Sequence, residues 1–222
     1  MARHIIILGN APITCEREYV IARETYVIND WYTFHGWFPC PQRIYQIHTT
    51  YIGEFKESPH RFKDWRKWYA SSGAEIVVQK DLGFKRQRIV TPNVEIYGVP
   101  FFSSPIGYMA QDCIAEGVDT VELQGIAYDS PVYKYQVCGV LTNIDAMRKA
   151  GIKVIAQRED EWRGSVTTVD WKNAHALKVP YGGEGFGIGV KNACYNPNDK
   201  QPCPEIKIVI DDIKPEVNLY GN

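Results

Sequence analysis

The residues best suited to chemistry in this chain are small polar groups that follow apolar runs, spread along the sequence and not gathered in one motif. Gly9 and Asn10 follow HIIIL, with Pro12 close behind, and Asn29 and Asp30 follow TYVI. His48 closes IYQIH, Ser103 and Ser104 precede a helical pattern, and Gly125 closes TVELQG. Glycine permits a tight turn and close backbone approach, and an asparagine amide can bridge a phosphate or a ribose. Asn29 and Asp30 can receive a ribose or base edge, or cap the next turn. Serine hydroxyls at the positive end of a helix favour a phosphate or a carboxylate, although Ser104 also serves as an N-cap without any ligand.

Proton transfer falls to histidine, the side chain that titrates near neutral pH. His48 stands at a strand end, and His175 lies in a segment able to close over a substrate; His60 is a third candidate. Each also fits an ordinary structural or exposed role. No cluster of metal-ligand type emerges, so no metal and no cofactor are expected. Any phosphate chemistry would then work through amides, hydroxyls, basic groups and the tyrosines Tyr128 and Tyr133. Cys15, Cys40, Cys113, Cys138, Cys194 and Cys203 are scattered with no C-x2-C pair, which predicts free thiols over a zinc site or a redox dithiol. Neither G-x-G-x-x-G nor a G-x-x-x-x-G-K-[ST] loop is present, and a Ser-His-Asp hydrolase is disfavoured by the absence of G-x-S-x-G.

These groups need a scaffold that brings distant positions together. The β-branched runs 4–8, 25–28, 44–48 and 75–78 read as strands buried on both faces of a sheet. The stretch 29–41 carries Gly36, Pro39 and Pro41 and reads as a loop. A helix is expected from Pro59 to about Ala70, and 79–93 reads as a basic excursion whose Lys80, Lys85, Arg86 and Arg88 can neutralise an anion. VEIYGV at 94–99 is a candidate short strand. The clearest unit runs from Ser104 as N-cap and Pro105 at the first helical position to Gly117, with Ile106, Met109, Ala110 and Cys113 on one face. TVELQG, a helix over 133–150 and a strand over 152–156 complete an alternating pattern.

That alternation predicts an α/β fold: a Rossmann-like, mostly parallel sheet with helices on both faces. Residues 1–156 read as a nucleotide-binding core, and 157–222 as an irregular extension with a late strand at Ile206–Ile210, serving as a lid or an assembly element. Parallel sheets bind ligands beyond the carboxyl ends of their strands, where the polar residues named above would converge on one rim.

A formal net charge of -1 argues against a protein held to nucleic acid mainly through phosphates, and no run reaches the roughly 20 apolar residues of a membrane span. The first apolar run is too short for a signal-peptide core, so a cytoplasmic location is expected. Fourteen Tyr, 8 Phe and 6 Trp, several in polar surroundings, point to a ring-lined cleft or a protein interface, including one between copies of the chain.

ILGNAP (7–12), VIND (27–30) and FFSSPIGYMAQDCIAEGVDTVELQGIAY (101–128) resemble the Rossmann-like core of the bacterial sialyltransferase and motility-associated glycosyltransferase-like superfamily, which includes phage-borne members. The resemblance covers roughly residues 4–156. It implies a metal-independent transferase using a nucleotide-activated sugar, CMP-linked in such enzymes. Asn10 would contact the nucleotide phosphate and Asn29 the ribose or phosphate region. Ser103 and Ser104 would lie near the base, sugar or carboxylate, with Gly125 lining the pocket. Tyr128 or Tyr133 would stabilise the leaving phosphate and His175 would act as base. Ile13 stands where the family has a serine, Ala127 where an acidic residue is common, and Ser-Ser-Pro where Ser-Gly is typical. Two other readings accompany this one: a phage protein that binds or modifies a nucleotide, and a non-catalytic structural or interaction protein.

Overall fold

Ile5, Ile6, Ile7 and Leu8 are all fully buried, and they divide by parity between two separate cores. Ile5 and Ile7 face one apolar cluster, Ile6 and Leu8 the other. A strand with alternate side chains in two cores must sit in the middle of a sheet covered on both faces. A computed structural model describes residues 2–29, 31–38, 40–47, 65–79, 81–90, 104–128 and 134–166 and shows that arrangement.

The strands are β1 (His4–Leu8), β2 (Glu24–Ile28), β3 (Arg43–Gln46), β4 (Glu75–Val78), β5 (Gln87–Ile89), β6 (Thr120–Gln124) and β7 (Lys153–Ala156). The helices are α1 (Arg17–Ile21), α2 (Trp31–Phe34), α3 (Trp65–Ser72), α4 (Pro105–Ala115), α5 (Lys134–Lys149) and α6 (Glu159–Ser165). All strand pairings are parallel, in the order β5-β4-β3-β2-β1-β6-β7. Ile7 is level with Tyr26 on one side and Leu123 on the other. One core holds Met109 and Cys113 of α4, Val140 and Ile144 of α5, and Trp162 of α6. The opposite core holds Val20 of α1, Trp31 and Tyr32 of α2, and Tyr69 of α3. The fold is therefore the Rossmann-like α/β sheet that the alternation of elements predicts.

Helix α4 is buried almost all round, which suits its apolar composition. It ends in a Schellman turn: Gly117 has φ 62°, its N–H donates to the Ile114 carbonyl, and the Val118 N–H donates to Cys113. The end of α4 is tied to the starts of the strands by charge. Glu116 pairs with Arg3 at 2.8 Å and Arg43 at 2.5 Å, and Asp112 pairs with Arg88. Because α4 runs against the strands, its beginning at Ser104 lies at their carboxyl ends. The Gln79 amide, just past β4, donates to the Tyr108 hydroxyl and fixes the same polarity.

Three local expectations change. The stretch read as a loop contains α2, since Trp31 buries its ring and donates its indole N–H to the Phe38 carbonyl at 2.8 Å, and this outweighs the breaker residues. The basic excursion contains the edge strand β5, paired with β4 through Ile76, Val77 and Val78. Regular structure also continues past Ala156: α6 places Glu159, Asp160 and Glu161 at its positive end and buries Trp162. The short helix α1 has no signal in the apolar spacing, because only Val20 of its five residues is buried. Asp30, His48, His60, Ser103, Tyr133, His175 and the expected strands at 94–99 and 206–210 lie outside the described residues.

Candidate functional site

The order in which strands are added reverses at β1. Strands β2 to β5 extend from one side of it and β6 and β7 from the other, so the carboxyl ends of β1 and β6 flank a topological switch point. In open parallel sheets, ligands enter the crevice at that place. Two glycines meet there. The Gly9 N–H donates to the Gln124 carbonyl at 2.8 Å, and the Ala11 N–H donates to the Gly125 carbonyl at 2.7 Å. A Cβ on Gly9 would lie 2.3 Å from the Gly125 carbonyl oxygen, and a Cβ on Gly125 would lie 2.6 Å from that of Ala11. Gly125 has φ 61°, whereas Gly9 is outside the left-handed region. Gly9 is thus required by a neighbouring turn of the same chain.

This closure restricts how the first turn can hold an anion. The N–H groups of Gly9 and Ala11 are spent on the β6 turn, and that of Thr14 donates to the Gln124 side chain at 3.2 Å. Pro12 has none. Asn10, half-buried in the same turn, carries an amide of the kind that can meet a phosphate or a ribose.

Asn29 follows β2 on the same rim and is buried, its carbonyl accepting a bond from the Tyr69 hydroxyl. Ser104 stands at the start of α4 with extended backbone, φ -156° and ψ 169°, but makes no side-chain capping bond. Its hydroxyl is buried, the residue being 1 % exposed, and has no hydrogen-bond partner among the described residues. An orphaned hydroxyl at a helix N-terminus, beside a proline that supplies no N–H, suits an anionic or hydrogen-bonding ligand. Tyr128 follows Gly125 and packs edge-on against Trp162 at 5.8 Å, so α6 helps position it. The structure thus brings Gly9, Asn10, Asn29, Ser104, Gly125 and Tyr128 to the carboxyl side of the sheet.

Two supporting groups are not apparent from sequence. His35 is buried, and its Nε2 lies 2.8 Å from the Gly9 carbonyl oxygen. A carbonyl only accepts, so Nε2 carries the proton. Burial pushes the His35 pKa down, with the nearby Arg17 charge acting in the same sense; the Gly9 and Ala11 carbonyls oppose this without reversing it. His35 is accordingly a neutral clamp on the first turn. Its position among glycines and prolines made it read as loop. Beneath the crevice, Gln124 accepts from the Thr14 hydroxyl at 2.9 Å and donates to Glu122 at 2.7 Å, and the Tyr19 hydroxyl donates to Glu122 at 2.7 Å. This layer fastens the segment after the first turn to β6. Polar residues at alternate positions of β6, Glu122 and Gln124, are the signal that marks it.

The basic residues expected to meet an anion are placed elsewhere. Arg88 pairs with Asp112 and Arg86 donates to the Gly73 carbonyl, both toward the amino ends of the strands. Lys85 is exposed and Lys80 lies outside the described residues. Among the described residues, Cys15, Cys40, Cys113 and Cys138 are free, and burial raises the pKa of Cys113 far enough to keep its thiol protonated. No described helix is long and apolar enough to cross a membrane, and no group of three metal-ligating side chains occurs among the described residues.

Comparison with protein-family models, curated proteins and solved structures finds no match. The fold and its topological switch point define a Rossmann-like α/β architecture that is compatible with nucleotide binding in general.

Proposed function

We propose that the crevice beyond β1 and β6 binds a nucleotide, and that the protein transfers a glycosyl group from a nucleotide-activated sugar, CMP-linked by resemblance. The observation that carries the binding reading is the position of Asn10, Asn29 and Ser104 on one rim, with a buried Ser104 hydroxyl that no described residue engages. Asn10 and the start of α4 would receive the phosphate, and Asn29 the ribose side. The resemblance of residues 7–12, 27–30 and 101–128 supports the transfer reading.

In that reaction the acceptor hydroxyl attacks the anomeric carbon while the sugar–phosphate bond breaks. His175 or His48 takes the hydroxyl proton, and the nucleotide phosphate leaves with the bonding pair. Hydrogen bonds from Tyr128 or Tyr133 and the polar rim stabilise the charge gathering on that phosphate, so they strengthen in the transition state.

The test is calorimetric titration of the full chain with cytidine, uridine, adenosine and guanosine monophosphates, followed by product analysis with labelled sugar nucleotides. Binding that weakens roughly tenfold or more in Asn10→Ala and Asn29→Ala is expected. Unchanged affinity in both variants overturns the site. Binding without any transfer leaves a nucleotide-binding protein and removes the transferase reading.

A further inference from the structure

Among the arginines whose side chains are described, Arg17 has a distinctive environment. Arg3, Arg43, Arg88, Arg148, Arg158 and Arg163 pair with carboxylates, while Arg23 and Arg86 donate to carbonyls. Arg17 makes no hydrogen bond or ion pair with a described residue. Its guanidinium carbon lies 5.2 Å from the centre of the Trp37 ring. The side chain is exposed, and it stands at the first position of α1, where the helix dipole disfavours a cation.

Its location connects it to the crevice. Helix α1 leads from the carboxyl end of β1 to the amino end of β2, so its first residue is the one nearest the rim. Trp37 is half-buried and meets the His35 ring edge-on at 5.6 Å, and His35 holds the Gly9 carbonyl. A continuous series of contacts therefore runs from the switch-point turn through His35 and Trp37 to Arg17. Stacking on an indole leaves the N–H edge of a planar guanidinium available, and it lowers the entropy lost when that edge binds an oxyanion. Such an edge can meet a phosphate or carboxylate with two parallel hydrogen bonds. Glu16 and Glu18 flank Arg17 and are exposed, so recognition here would rest on directed bonds more than on a diffuse positive field.

We infer that Arg17, held on Trp37, forms an oxyanion subsite beside the crevice that receives a second anionic group of the ligand, a distal phosphate or a sugar carboxylate. The identity of that ligand rests on the proposed nucleotide function; the subsite itself rests on Arg17 and Trp37.

The experiment titrates the full chain with cytidine monophosphate, cytidine diphosphate, a CMP-linked carboxylated sugar and inorganic pyrophosphate, with the diphosphates of the other three bases alongside. Wild-type protein is expected to prefer ligands with the second anionic group. Arg17→Gln should remove that preference, by roughly tenfold, while leaving monophosphate affinity and the unfolding midpoint unchanged. Arg17→Lys should restore it only in part, because the ammonium lacks the planar fork. Trp37→Phe, which keeps a ring beneath the guanidinium, should retain most of it, and Trp37→Leu should not. Loss confined to the diphosphates identifies a distal phosphate, and loss confined to the sugar acid identifies a carboxylate. Equal affinity of wild type and Arg17→Gln for every probe overturns the subsite while the proposed function stands. If no nucleotide binds wild-type protein, that function fails; pyrophosphate binding abolished by Arg17→Gln would still uphold the subsite, and absence of pyrophosphate binding would overturn it too.

Discussion

Gly9 and Gly125 leave each other no room for a side chain: a Cβ on the first would sit 2.3 Å from the carbonyl oxygen of the second. The contact joins the ends of β1 and β6, which are separated by most of the described core in sequence. Gly9→Ala should therefore destabilise the domain by about 1–3 kcal/mol or more, since the obstructing atom is backbone and cannot rotate away. Gly125→Ala adds the strain of a positive φ, about 1–2 kcal/mol, to its own clash with Ala11. The two losses should be less than additive in urea unfolding, because either substitution already separates the turns. Additive losses would show that the turns are independent.

A pH dependence follows from His35. Its pKa is held below the ordinary 6.5 by burial, so the unfolded chain binds a proton more readily than the folded one. Stability is then fully present above about pH 6.5 and falls as the pH drops from there toward the folded-state value. His35→Gln keeps an N–H donor for the Gly9 carbonyl but cannot titrate. Thermal unfolding followed across pH 5–8 should show a steeper acid loss in wild type than in this variant; parallel profiles would remove His35 as the cause.

Glu116 behaves in the opposite chemical sense with the same direction of pH dependence. Burial alone would raise its pKa, but hydrogen bonds and charge from Arg43, with help from Arg3 and Tyr26, bring it below the ordinary 4.5. The carboxylate contributes stability above about pH 4.5, and that contribution is lost as the pH falls through the lower folded-state value. Glu116→Gln should cost about 1–2 kcal/mol at pH 7, a modest figure because the side chain is partly exposed, and the gap from wild type should close in strong acid. A constant gap down to pH 3 would contradict this assignment.

Ser104 separates structure from binding. An N-cap serine normally contributes about 1 kcal/mol through its side chain. This one makes no capping bond and leaves its hydroxyl buried without a partner among the described residues. Ser104→Ala should therefore leave the unfolding free energy unchanged or slightly higher, while weakening nucleotide binding. A clear loss of stability with unaltered binding would make it an ordinary cap.

Much of the frame is legible in local pattern. The runs at 4–8 and 75–78 emerge as strands because consecutive β-branched residues, Ile5 to Ile7 and Ile76 to Val78, suit a sheet covered on both faces. Pro105 and Gly117 bracket α4 because a proline at the first helical position and a glycine past the last are local preferences, and Ser104 holds the N-cap position without a side-chain bond. Patterns fail where a residue is stabilised by something distant. Trp31 turns a breaker-rich segment into α2 through a buried ring, and β5 exists because β4 offers an edge to a short polar strand. The basic residues of that segment cannot be assigned to an anion from charge alone, since Asp112 and the Gly73 carbonyl already hold two of them.

Sequence by itself determines that this chain forms alternating strands and helices, and that polar residues stand at the ends of its apolar runs, because both properties reside in neighbouring side chains. Only the tertiary structure decides that β1 separates two groups of strands, that Gly9 answers to Gly125, and that His35 grips the first turn. Those relationships join positions far apart along the chain, and their energies exist only once the sheet has closed the distance.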